Sequence, residues 1–199
     1  MTLNHINLNR NASMKLDVLS TSLPGVHLVR SPRFADQRGF FCETYARPDF
    51  LAAGFENVFV QDNQSSSLLS GTIRGLHFQI PPFAQAKLVR VLRGRILDVV
   101  VDLRRSSSAY GRHVAIELSA ESGDQLFVPA GFAHGFCTLV DNTEVFYKVD
   151  AVYSAPHDRG LSWADPALNV DWPVSESNAV LSDKDKALPL LNALPPYFE

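Results

Sequence analysis

The stretch from Lys87 to Val149 constrains this chain most. It repeats one device: a short run of β-type residues, then a cluster of turn residues. The runs are Lys87–Leu92, Arg95–Leu103, His113–Leu118, Gln125–Val128, Gly135–Val140 and Glu144–Val149. Between them stand Arg93-Gly94, Ser119–Gly123, Pro129-Ala130-Gly131 and Asp141-Asn142. These supply the Gly, Pro, Asn and Asp that tight turns require. Many short strands at this spacing predict a β-sandwich or barrel. Lys87–Leu92 and Arg95–Leu103 read as two strands about the turn at Gly94. Helix is expected only over Pro48–Ala53 and in a stretch near the C-terminus. Pro173, Pro189, Pro195 and Pro196 keep the last part of the chain extended or looped.

The length, 199 residues, suits one domain and is too short for two ordinary enzyme domains. Residues 1–13 read as an unstructured extension, and 14–199 as a single domain. An apolar fraction of 46% with 20% charged residues fits a globular protein and argues against disorder. Eighteen Lys and Arg against 21 Asp and Glu give a net charge of -3. That excludes nucleic-acid binding driven by a large basic excess. No apolar run approaches the roughly 20 residues that span a bilayer. The opening MTLNHINLNRNAS is polar and does not read as a secretory signal. The expected setting is therefore cytoplasmic, with no membrane or nucleic-acid partner. Cys42 and Cys137 are expected as two reduced, buried thiols.

Two patterns carry a resemblance. Gly71-x5-His77-Phe78-Gln79 and Gly123-x5-Pro129-x-Gly131-x2-His134 resemble the paired motifs of the cupin superfamily, a small jelly-roll barrel. Metal-binding cupins place a second histidine where this chain has Gln79, and a Glu in the region of Ile80–Ala84. Two histidines remain of a four-ligand set, and a tight transition-metal site normally takes three or more protein ligands. The resemblance thus implies the barrel and no metal.

It also narrows. The segments Asp36–Glu43, Gln61-Asp62-Asn63, Ile73–Gln79 (IRGLHFQ), Lys87–Arg90, Asp98–Arg104, Pro129–Phe136 (PAGFAHGF), Phe146–Lys148 and Leu181–Asp185 resemble the dTDP-4-dehydrorhamnose 3,5-epimerase family, in the family's order. The resemblance implies a mainly all-β, cupin-type double-stranded β-helix, or jelly roll, with a few short helices. It implies a homodimer built by shared strands. It implies a dTDP-sugar substrate, dTDP-4-dehydro-6-deoxy-D-glucose, inverted at C3 and C5 without any cofactor.

The residue types suit that chemistry. A 4-keto sugar has acidified C–H bonds at C3 and C5. Inversion needs a base on one face, a proton donor on the other, and positive charge where the enolate oxygen develops. By resemblance His77 is the base, since an imidazole accepts protons near neutrality. Asp185 is its carboxylate partner. Tyr147 is the donor, a phenol protonated at neutral pH. It shares a strand face with Val145 and Val149. Lys87 stands near the reacting carbonyl, although Ala86 precedes it where the family usually has glycine. Arg38, Arg74 and Lys184 suit a diphosphate. Glu43, Gln61, Asp62, Asn63 and His134 match positions along the substrate cleft. Tyr153 matches a residue that stacks on thymine, and Asp158 stands where Glu is usual. Strict alternation would put Arg74 and His77 on opposite faces, so a bulge is expected between them.

Bland readings stand beside these. His77 could be a core histidine bonded to a carbonyl, Tyr147 a packed strand aromatic, and Tyr153 a surface ring. Lys87 could face outward, and Asp185 could be one solvated charge among several. Other functions also stay open: a 3- or 5-epimerase inverting one carbon, a sugar-nucleotide ketoisomerase, a non-catalytic sugar-binding cupin, or a metal-dependent cupin.

Overall fold

A computed structural model describes residues 16–199, and the expected extension over 1–13 lies outside the described residues. In chain order the elements are β1 (Asp17–Ser20), β2 (His27–Arg30), β3 (Arg33–Asp36), β4 (Gly39–Cys42), α1 (Arg47–Ala52), β5 (Gln61–Ser67), β6 (Ile73–Gln79) and β7 (Lys87–Arg93). There follow β8 (Arg95–Asp102), β9 (His113–Ser119), β10 (Gln125–Val128), β11 (Phe132–Thr138), β12 (Thr143–Val149), β13 (Asp158–Gly160) and α2 (Asp183–Lys186). The mainly β reading therefore holds, and the strands between Lys87 and Val149 lie close to the expected runs. The expected helix at Pro48–Ala53 is α1, one residue earlier. Pro48 occupies its first turn, where a missing N–H costs nothing.

The strands form two facing sheets, ordered β1-β2-β10-β7-β12-β5 and β13-β6-β11-β8-β9, with β3-β4 as a separate hairpin. The strands at Gly94 do not pair with each other. Lys87–Arg93 belongs to one sheet and Arg95–Asp102 to the other, so the chain crosses between layers there. Gly94 has φ +78°, and a Cβ would fall 2.4 Å from Thr143 Oγ1, so only glycine fits the corner.

Alternation sorts each strand into an inner and an outer face. Val89, Val91, Ile96, Val100, Leu126, Val128, Phe136 and Val145 meet between the sheets as the main core. The outer face of the five-stranded sheet packs Val99, Val101 and Leu76 under the C-terminal segment, including Leu161, Leu168 and Leu194. The outer face of the other sheet is covered in part by Phe50 and Phe55, against Val29, Leu88 and Phe127. Each such side chain removed from water contributes about 1.5–3 kcal/mol. No helix among the described residues is long and apolar enough to cross a membrane.

The expected bulge is present. His77 faces His134 and Arg74 faces Phe136, so β6 carries one residue more than β11 across that interval. The extra residue rotates Arg74 onto the same side as His77. Two glycines permit it. A Cβ on Gly135 would stand 2.6 Å from the Arg74 carbonyl oxygen and 3.1 Å from Gly75 Cα. Gly75 itself has φ +115°. Gly135→Ala should therefore lower the unfolding free energy by about 1–3 kcal/mol, the usual cost of forcing a methyl into packed backbone. A urea midpoint unchanged from wild type would contradict this close approach.

Candidate active site

One end of the space between the sheets is apolar, and the other opens as a cleft of about 660 Å³. Its wall includes Arg74, His77, Lys87, His134, Tyr147 and Asp185, with Gln61, Asn63, Tyr153, Asp158 and Lys184 among the rest. Most of the candidates named above thus meet in one place. They come from β5, β6, β7, β11, β12, β13, α2 and, for Tyr153, the loop after β12, and closure of the two sheets brings them together.

His77 Nε2 lies 2.6 Å from Asp185 Oδ1, across 108 residues of sequence. The C-terminal segment is fastened beside β6 to make this contact. Ile73 N–H donates to the Val180 carbonyl at 2.9 Å, and Val180 N–H to that of Gly71 at 3.0 Å. Ser182 then caps α2, its hydroxyl accepting from the Asp185 N–H at 3.1 Å. Asp185 is buried, with 5% of its surface exposed, so it is no solvated charge. Burial pushes its carboxyl up, but the His77 hydrogen bond and charge, with Ser182 and the Gly75 N–H, hold it below the usual carboxylate range. An ionised carboxylate only accepts, so Nε2 carries the proton and Nδ1 is the basic atom of neutral His77.

Lys87 is buried and shares its strand face with Val89 and Val91, so it points inward. Nζ donates to the His77 carbonyl oxygen at 3.2 Å, which leaves two of its three donors for other oxygens. Burial pushes its ammonium down to about 8. Tyr147 lines the cleft on the face of Val145, as alternation predicts. Burial raises its phenol above the usual value, against the nearby Arg74 charge. It is therefore a protonated donor at neutral pH.

Farther along the cleft, Asp158 accepts from Lys184 Nζ, and from the Tyr153 hydroxyl at 3.3 Å. Gln61 receives the Tyr153 N–H at 2.9 Å and donates to Asn63 Oδ1 at 2.9 Å. Arg74 donates Nε to Ser67 Oγ at 3.1 Å and Nη2 to the Ser66 carbonyl at 2.9 Å. These bonds leave its Nη1 edge for a ligand.

Three candidates do not line the cleft of their own chain. Asp62 falls between two inward residues on β5, points outward, and pairs with Lys148 at 2.9 Å. Arg38 sits at the tip of the β3–β4 hairpin, bound to Asp36. Glu43 follows that hairpin and is exposed. Cys42 is only half-buried, against the expectation of a buried thiol, while Cys137 is fully buried. Burial pushes the Cys137 thiol up to about 11.

Gln79, at the position where metal-binding cupins place a second histidine, has a structural task. It is buried and donates Nε2 to the carbonyls of Phe83 at 2.7 Å and Val152 at 3.2 Å. Its Oε1 accepts the Ser154 N–H at 2.6 Å. Among the described residues no three His, Cys, Asp or Glu side chains cluster as a metal site would need.

Sequence reasoning missed Asp98. It is fully buried on β8, with Oδ1 2.5 Å from His134 Nε2. A signal was available: a carboxylate between Ile96 and Val100 at an inward position in the middle of an apolar strand.

Together, the two facing sheets and a cleft holding a carboxylate-supported imidazole, a buried ammonium and a protonated phenol define a jelly-roll enzyme of the acid–base type. Residues 20–193 match the dTDP-4-dehydrorhamnose 3,5-epimerase family, and the chain belongs to it. A dTDP-4-dehydrorhamnose 3,5-epimerase of Sinorhizobium fredii is 51% identical over 180 residues, covering 90% of this chain and 92% of the relative. The crystal structure of the Bacillus anthracis enzyme of that name, with TDP and PPi bound, superimposes with a TM-score of 0.86 at 49% identity, covering 88% of this chain and 99% of that one. A 3'-monoepimerase of Streptomyces bikiniensis, in complex with dTDP-quinovose, gives a TM-score of 0.81 at 30% identity, with 87% of each chain covered.

Proposed function

We propose that this chain converts dTDP-4-dehydro-6-deoxy-D-glucose to dTDP-4-dehydro-L-rhamnose by inverting C3 and C5. The observation that carries the reading is the His77–Asp185 pair in one cleft with Tyr147 and Lys87. In this mechanism His77 Nδ1 removes the proton from a carbon beside the C4 carbonyl. The electron pair moves onto the carbonyl oxygen, which the Lys87 ammonium meets. Tyr147 then gives its phenolic proton to the opposite face of the same carbon. His77 sheds the abstracted proton to water, Tyr147 regains one, and the cycle repeats at the second carbon. The carbonyl already present takes the electrons, so no hydride moves. Arg74 and Lys184 supply positive charge for the diphosphate, Tyr153 a ring for the base, and Gln61, Asn63 and His134 polar contacts along the cleft.

The test is the configuration of the product. Proton NMR of the dTDP-sugar formed from the natural 4-keto substrate should show inversion at both C3 and C5. Inversion at one carbon only would overturn the reading in favour of a monoepimerase, the alternative that the Streptomyces bikiniensis relative keeps in view.

The working unit in this reading is a cytoplasmic homodimer. The β3–β4 hairpin leaves Phe34, Phe40 and Phe41 exposed, at 49%, 59% and 58%. The same hairpin carries Arg38, and Glu43 follows it, neither of them in the cleft of its own chain. Docking of this hairpin on a second copy would cover the phenylalanines and bring Arg38 and Glu43 toward the partner's cleft. Sedimentation should give a dimer for the wild type. Phe40→Asp with Phe41→Asp should give a folded monomer whose KM for the dTDP-sugar is raised. A wild-type monomer with full activity would contradict this assembly.

A further inference from the structure

We propose that Asp98 is a positioning residue that holds the Lys87 side chain as an ammonium in the cleft, so that it meets an anionic oxygen. The inference rests on the reading of Lys87 given above, and it concerns a residue to which the mechanism gives no role.

Asp98 is a buried carboxylate with one oxygen used and one not. Oδ1 receives His134 Nε2 at 2.5 Å, while Oδ2 is buried without a hydrogen-bond partner. Such an orphan is costly and calls for a reason. Strand register supplies one. Asp98 faces inward with Ile96 and Val100 on one sheet, and Lys87 faces inward with Val89 and Val91 on the other. Both project into the same space between the sheets, and both are buried.

An ammonium taken out of water loses its proton unless negative charge stands near it. The groups about Lys87 are Asp98 from β8, Asp158 from β13, Lys184 from α2, His77 from β6, His134 from β11 and Tyr147 from β12. Asp158 is engaged by Lys184 and Tyr153 at the outer end. Asp185 is engaged by His77. Asp98 is the carboxylate that acts most strongly to keep Lys87 protonated, against the burial that favours the neutral amine. The hydrogen bond from His134 fixes how the Asp98 carboxylate is turned. His134 then has a second task besides lining the cleft.

The test reads the amine directly. In the full chain labelled with ¹³Cε-lysine, the Lys87 resonance is assigned by its loss in Lys87→Arg. Its midpoint in the wild type should lie at about 8. In Asp98→Asn it should fall by about 1 to 3 pH units, the usual effect of removing an adjacent opposite charge. The alkaline limb of kcat/KM should move with it, because that limb reports the free enzyme. An unmoved midpoint with merely lower activity at every pH would overturn the proposal and leave Asp98 as packing. Should Asp98→Asn fail to fold, a double variant decides. Lys87→Met leaves the Asp98 charge buried with only its His134 hydrogen bond and should be destabilised, and Lys87→Met with Asp98→Asn should be the more stable. A double variant no more stable than Lys87→Met would overturn the coupling. The NMR midpoint needs no turnover. A shifted midpoint in a protein that leaves the keto sugar unchanged would keep the Asp98–Lys87 pair and reject the epimerase reading.

Discussion

Replacement of His77 by Ala should lower kcat by about 10² to 10⁴, the usual contribution of a positioned general base. In free energy that is about 3 to 5 kcal/mol of barrier. The effect is expected at both carbons, since of the two carboxylate-held imidazoles on the cleft wall His77 is the exposed one, at 30%, while His134 is 6% exposed. The fold should survive, because the His77 side chain is 30% exposed and the core lies elsewhere. The variant also separates binding from chemistry. Arg74 and Lys184 do not depend on the imidazole, so affinity for dTDP should change little. Near-wild-type turnover in His77→Ala would sink the assignment. A large loss of dTDP affinity would instead mark His77 as a binding or structural residue.

Tyr147→Phe should split two events that the wild type performs together. The substitution removes one oxygen and keeps the ring against its neighbours. Carbanion formation needs His77 and Lys87, which remain. His77 can pick up a solvent proton and return it to the face it left. Exchange of substrate C–H with solvent should therefore persist. Inversion should fall much further, because nothing else in the account delivers a proton to the opposite face. Deuterium wash-in measured beside product formation gives the ratio. Equal large losses in both would mean that the phenol is not the donor. No loss in either would make Tyr147 a packing residue on its strand.

Much of this was legible in the residues, for identifiable reasons. The strands from Lys87 to Val149 are short, β-rich and closed by turn residues, so local pattern suffices to find them. Arg74 and His77 could be placed on one wall once a bulge was allowed, and Gly75 and Gly135 are the residues that allow it. Alternation could have excluded Asp62, which lies between Gln61 and Asn63 on one strand. It could also have found Asp98, a carboxylate at an inward position. Other features were beyond local reading. The approach of Asp185 to His77 depends on how the C-terminal segment is fastened beside β6, and no periodicity encodes that. The β7–β8 corner looks like a hairpin in sequence. It becomes a crossing between layers because the hydrogen bonds of each strand go to partners distant in the chain. Arg38 and Glu43 match the family by motif, yet neither lines the cleft formed by its own chain, which motif matching could not foresee.

Two enolates are expected to form in turn in this one cleft, each opened by His77 and closed from the other face. Reaction of the wild-type protein with the 4-keto sugar nucleotide in D2O tests this most directly, with NMR and mass analysis of the product. The account predicts one deuteron at C3 and one at C5, both carbons inverted, since each new C–H bond takes its hydrogen from a solvent-exchanged phenol. Inverted product that retains the substrate's own hydrogen at either carbon would contradict it.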